Sequence, residues 1–205
     1  MPSEEHIAYF EKKYSPGFFY GGRHRKDLRH LFEHYSFPVP DDERINILDI
    51  GFGSTDELLL IHEYFPRSII VGLDVYKKKM KSLAQAIKEW NTISVLSGDL
   101  NSLDFNEHYF DLICAFNSLC FSEHLGETLG ELERLLKKRR TLVFSFDIYD
   151  GHDSPNRQQY DKNGIRYLIP AESSIAEELN RLPFKEVDSY RSPVHGELTF
   201  VCHKK

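Results

Sequence analysis

The feature that most constrains this chain is an alternation that begins at residue 45. Five short apolar runs, INILDI (45–50), SIIVGLD (68–74), TISVLSG (92–98), YFDLICAF (109–116) and RTLVFSFD (140–147), read as buried strands. Between them TDELLLIHEYF, YKKKMKSLAQAIKEW and GETLGELERLLKKR read as amphipathic helices. In the third, Leu129, Leu132, Leu135 and Leu136 fall at helical spacing on one face. Strands apolar on both faces and separated by helices specify a parallel sheet covered on either side.

The end of the chain breaks this rule. FKEVDSY and ELTFVCHKK flank RSPVHG, where Pro193 and Gly196 are turn residues, so an antiparallel hairpin is expected there. The expected fold is therefore α/β and doubly wound: a mostly parallel seven-stranded sheet with a C-terminal antiparallel hairpin. Ahead of residue 45, EEHIAYFEKKY and RHRKDLRHLFEHY read as two helices joined by SPGFFYGG. With 205 residues, 40% hydrophobic and 28% charged, the chain has the length and composition of one ordinary globular domain.

No apolar run approaches the roughly 18 residues that a membrane span needs. The start MPSEEHIAYF lacks the basic and apolar regions of a signal peptide, so a cytoplasmic location is expected. Cys114, Cys120 and Cys202 show neither metal-ligand nor redox spacing and are expected as free thiols in a reducing compartment. A net charge of −6 argues against a general nucleic-acid binder.

The loop after the first strand is the candidate ligand site, because open parallel sheets bind ligands beyond the carboxyl ends of their strands. Gly51 and Gly53 let the backbone turn sharply and approach a ligand. Ser54 and Glu57 fit a capping box that opens a helix whose free N–H groups favour an anion. Asp49, Asp74 and Asp99 end three successive strand patterns, each 25 positions after the last. An acidic residue about 20 positions past such a loop is placed for ribose hydroxyls, and Asp74 fills that role.

A dinucleotide fingerprint requires a third glycine at position 56, where this chain has Asp56. A carboxylate there repels a pyrophosphate, and no P-loop lysine is present. S-adenosylmethionine carries a ribose and an adenine but no phosphate, and fits better.

LDIGFGST, IIVGLDVY, LSGDLNSL and FDLICAFNSLCF resemble, in order and spacing, the successive motifs of class I S-adenosylmethionine-dependent methyltransferases. The terminal hairpin resembles that family's final strands, and the resemblance covers roughly residues 40–205. It implies one methyltransferase domain over 1–205, with an N-terminal helical lid at 1–40 and a Rossmann-like core at 41–205. It also implies a cofactor site built from Asp49, Gly51, Phe52, Gly53, Asp74, Val75, Asp99, Leu100 and Asn117. Within that set Gly51 and Gly53 line the methionine part, Asp74 binds the ribose, Asp99 and Leu100 edge the adenine, and Asn117 lies near the sulfonium. Two positions depart from the family: Thr55 stands where its third glycine usually falls, and LKKRRTL replaces its Leu-Lys-Pro-Gly-Gly turn.

Methyl transfer from a sulfonium is an in-line displacement with a good leaving group, so holding the reactants aligned is the protein's main task. No universal catalytic residue is expected. A small-molecule acceptor is expected, and the candidates to touch it are Tyr14, Tyr20 and His24 on the lid and Asp147, Tyr149 and His152 after the fifth strand. DIYDGHD (147–153) is a single stretch and no metal is expected. The basic, aromatic segment 12–30 gives an RNA-modifying enzyme as the alternative, and Thr55 a non-catalytic S-adenosylmethionine-binding protein.

Overall fold

A computed structural model describes residues 24–35, 37–39, 43–53, 55–75, 77–147, 157–160, 166–191 and 197–205. Helix α1 (His24–His34) precedes β1 (Asn46–Ile50), α2 (Thr55–Tyr64), β2 (Ile69–Asp74), α3 (Lys77–Ala86), β3 (Ile93–Ser97) and β4 (Phe110–Phe116). A short 3-10 turn (Leu119–Phe121) leads to α4 (Leu125–Leu135) and β5 (Leu136–Asp147). The remaining elements are β6 (Arg157–Tyr160), β7 (Arg166–Ile169), α5 (Glu172–Asn180), β8 (Phe184–Arg191) and β9 (Glu197–Lys204). The main sheet has seven strands in the order β3-β2-β1-β4-β5-β9-β8. The strands β1 to β5 run parallel, and β9 pairs antiparallel with both β5 and β8. The expected sheet and terminal hairpin are both present; β6 and β7 form a separate two-stranded sheet that the sequence reading did not foresee.

The strands alternate their side chains between two cores. Leu48, Ile50, Ile113, Phe144 and Phe200 join the leucine face of α4, with Leu129, Leu132 and Leu135 fully buried. Ile47, Leu112, Cys114 and Val143 pack on the other face with Leu58 and Ile61 of α2 and Leu28 and Leu31 of α1. Truncating one such leucine to alanine costs about 2–5 kcal/mol through lost transfer and the residual cavity. Among the described residues, no helix is long and apolar enough to cross a membrane.

Helix α4 ends earlier than its hydrophobic pattern predicts, at Leu135 rather than Arg139. The reason lies across the sheet, at the amino ends of the strands. Asp111 is buried, and its Oδ1 accepts from Arg140 Nε (2.9 Å). Its Oδ2 accepts from Lys137 Nζ (2.8 Å) and the Asn46 backbone N–H (2.9 Å). Arg140 also donates to the Pro38 carbonyl at 2.8 Å, tying the segment after α1 to β5. Arg139 takes φ +59°, and the β4–β5 register shifts between Phe110 and Leu112 to seat these side chains. Buried Lys204 meets the end of α4, donating to the carbonyls of Glu133 (2.7 Å) and Leu136 (2.8 Å). A cation at these orphan carbonyls complements the helix dipole.

Candidate functional site

The strand order reverses at β1, which pairs with β2 on one side and β4 on the other. The loops leaving β1 and β4 therefore diverge and frame a crevice. Gly51 opens the first loop with φ +75°, while its N–H still donates to the Leu73 carbonyl at 2.7 Å. A Cβ on Gly51 would sit 2.5 Å from the Ser118 Cβ, so only glycine lets the two loops meet. Gly53 takes φ +59° and donates its N–H to Asp74 Oδ2 at 3.1 Å. That bond links the ends of β1 and β2 and orients the Asp74 carboxylate, which is itself buried.

Phe52, between the glycines, does not belong to the crevice by its side chain. It is fully buried, and its ring lies 2.9 Å from where a Cβ on Gly72 would fall. The loop is anchored by this ring and turns on the glycines beside it. Thr55 is the first residue of α2 and is absent from the left-handed residues. Glycine's conformational freedom is needed at 51 and 53, not at 55. Ser54, the expected cap, lies outside the described residues.

The equal spacing of the three aspartates does not give them equal positions. Asp49 is the penultimate residue of β1, opposite Gly72 and Cys114, and is fully buried. The Cys114 thiol is pushed well above its ordinary value by burial, with Asp49 and Glu57 adding to the effect. Asp74 is the last residue of β2, and Val75 follows half-buried. Asp99 lies two positions past β3. Its Oδ1 accepts from the Asn101 N–H (3.0 Å) and Nδ2 (3.1 Å). Asn101 Oδ1 in turn accepts from the Glu123 N–H at 3.0 Å, which ties this loop to the one after β4. Leu100 packs against the core beneath it.

Asn117 follows β4 with φ +50°, in the left-handed region that asparagine tolerates better than most residues. Its N–H donates to the carbonyl and Oγ of Ser145, each at 3.2 Å, and its Nδ2 donates to Glu197 Oε1 at 2.7 Å. Ser145 Oγ donates to the same Glu197 oxygen. Cys120, partly exposed, donates its thiol to the Asn117 carbonyl at 3.1 Å.

Buried polar atoms are normally paired, so the exceptions are informative. Among the described residues, His62 Nδ1 on α2 is buried without a hydrogen-bond partner, and so are Asp99 Oδ2, Asn117 Oδ1 and Ser118 Oγ. The last three lie on the loops at the carboxyl ends of β3 and β4. Together with the Gly51 cradle, these acceptors and hydroxyl suit a ligand with hydroxyl and amino donors and no phosphate, the expected nucleoside cofactor.

Of the acceptor candidates, Tyr14, Tyr20, Tyr149 and His152 lie outside the described residues. His24 begins α1 and Asp147 ends β5 opposite Glu197; only their backbones are described. No group of three or more potential metal ligands occurs among the described residues. Sequence reasoning missed Ser118, Ser145 and Glu197. Ser118 had a local signal, its place beside Asn117. Glu197 had none, since it lies 80 residues from its partner.

A parallel core reversing at a glycine loop, with an acidic residue closing the next strand, defines a Rossmann-like α/β fold. Residues 48–144 match a family model described as a methyltransferase domain. The chain is 28% identical over 154 residues to the uncharacterized protein RP028 of Rickettsia prowazekii (strain Madrid E), covering 73% of this chain and 61% of that one. It therefore spans less than two thirds of that relative's length. Its fold is similar to a Burkholderia thailandensis 1,6-didemethyltoxoflavin-N1-methyltransferase solved with 1,6-didemethyltoxoflavin and S-adenosylhomocysteine. That match has a TM-score of 0.71 and 20% identity, covering 97% of this chain and 87% of that one. It is also similar to a chain of the Haloferax volcanii complex between the Trm112 methyltransferase activator and the putative methyltransferase (TM-score 0.69, 19% identity, covering 88% and 90%). The methyltransferase-domain match thus falls on the segment from β1 to β5, and the solved structures share the Rossmann-like fold of this chain.

Proposed function

We propose that this protein transfers a methyl group from S-adenosylmethionine to a small-molecule acceptor. The observation that carries the reading is the oriented Asp74 carboxylate, held by the Gly53 N–H beside a loop that only glycine can close. When bound, the cofactor supplies an electrophilic methyl group on a sulfonium. The residues of the chain bind and orient. The backbone at Gly51 and Gly53 admits the methionine part at close range, and Asp74 accepts from the ribose hydroxyls. Asp99 Oδ2 and Leu100 border the adenine, and Asn117 and Ser118 face the end where transfer occurs. Asp49 supports the loop from inside the sheet. A small acceptor is in keeping with the fold's similarity to the toxoflavin-precursor methyltransferase. Tyr14, Tyr20, His24, Asp147, Tyr149 and His152 are the candidates to touch that acceptor.

Titration calorimetry with S-adenosylhomocysteine tests this directly. Micromolar binding is expected, weakened about tenfold or more in Asp74→Ala, since hydrogen bonds to a carboxylate contribute more than neutral ones. Absence of binding by the unmodified protein at millimolar ligand would end the proposal.

A further inference from the structure

Among the described residues, Glu197 is the one buried carboxylate of the crevice that no motif points to. It opens β9 and is 5% exposed, and its Oε1 takes two donors from two other strands: Asn117 Nδ2 after β4 and Ser145 Oγ on β5. The Asn117 amide turns its NH2 group to Glu197, which leaves Oδ1 on the other side of the planar group. That oxygen is the buried acceptor without a partner. The backbone of the same residue is fixed by the Ser145 carbonyl and hydroxyl. Asn117 is thus held at both ends, and the orientation of its amide is decided by a residue 80 positions away.

We propose that Glu197 is a positioning residue for transfer: it presents Asn117 Oδ1 as a fixed hydrogen-bond acceptor. The group brought to the methyl then carries an N–H or O–H, making the substrate class a protonated nitrogen or oxygen nucleophile. The inference rests on the functional reading above, which puts Asn117 at the transferring end of the cofactor. Its chemistry is ordinary: an acceptor with a fixed lone pair selects a donor and rejects an apolar carbon or sulfide at the same point.

Sinefungin, in which a carbon bearing a primary amine replaces the methylated sulfur, presents an N–H donor where the methyl group lies. Calorimetry should show the unmodified protein binding sinefungin about tenfold more tightly than S-adenosylhomocysteine, the difference a charged hydrogen bond supplies. Glu197→Gln offers both a donor and an acceptor to the amide and frees it to turn over. Asn117→Gly removes Oδ1 while keeping a residue that accepts φ +50° without strain. In both variants the sinefungin preference should fall to near parity, and in Glu197→Gln S-adenosylhomocysteine affinity should stay within about threefold. An unchanged preference in both, or equal loss of both ligands, would show Glu197 to be only structural and overturn the inference. If the unmodified protein binds neither ligand, the functional reading itself falls, and this inference with it.

Discussion

The two ends of the sheet treat buried polar groups in opposite ways. At the amino ends of the strands, Asp111 is saturated: Arg140, Lys137 and the Asn46 N–H occupy both its oxygens. At the carboxyl ends, Asp99, Asn117 and Ser118 each keep a buried atom without a partner. Satisfied groups stabilise, while unsatisfied ones cost free energy that only a ligand can return. One end is built for stability and the other is held ready for binding, so variants should separate along the same line.

The largest separation is expected for Asp111→Ala, which leaves two cations without their common partner. Denaturant unfolding should show a loss of about 3 kcal/mol, with S-adenosylhomocysteine affinity unchanged. An affinity loss in that variant would break the division. Gly51→Ala tests the other end. Its Cβ meets Ser118 from a left-handed backbone, so about 1–3 kcal/mol of stability should be lost together with most cofactor affinity. Here both measurements have to move.

A third variant addresses the layer between the ends. Burial pushes the Cys202 thiol far above its ordinary value of 9.0, and Asp188 adds to the shift; Cys114 is displaced in the same direction. A group whose folded value is raised contributes stability that is fully present below its unfolded value and is lost as pH rises beyond it. Unfolding free energy should therefore fall above about pH 9 by up to about 1.4 kcal/mol per pH unit for each thiol. In Cys202→Ala the slope should drop by one proton.

The smallest effect is expected for Thr55→Gly. The sequence made this position a suspect, but the structure puts the left-handed glycines at 51 and 53 and a helical residue at 55. Cofactor affinity should change by less than about twofold, and stability by the few tenths that glycine costs near a helix start. A marked tightening would mean that the threonine does crowd the methionine end.

These positions also show which parts of the molecule were legible beforehand. The strands β1 to β5 were, because short apolar runs set between helical patterns mark them. The glycine loop and the place of Asp74 at the end of β2 were, because turn geometry and strand ends are local in sequence. The end of α4 was not: Lys137 and Arg140 continue a helical pattern, and only Asp111, brought up from β4, pulls them into a strand. Glu197 was invisible for the same reason, being one acidic residue at the head of an apolar run until β9 inserts beside β5. The pair β6 and β7, reading RQQY and RYLI, lacks the apolar alternation that announces a strand.

The place of β9 has a consequence for how the molecule forms. This strand follows all the others in sequence, yet it lies between β5 and β8 rather than at an edge. During synthesis the parallel half can assemble first, while β5 waits with an unpaired edge across the whole of β6, β7, α5 and β8. Such non-local closure is slow, and the open edge is exposed to wrong partners in the meantime. When β9 arrives it brings Glu197 to one end and Lys204 to the other, so the site and the cap of α4 are completed in a single late step.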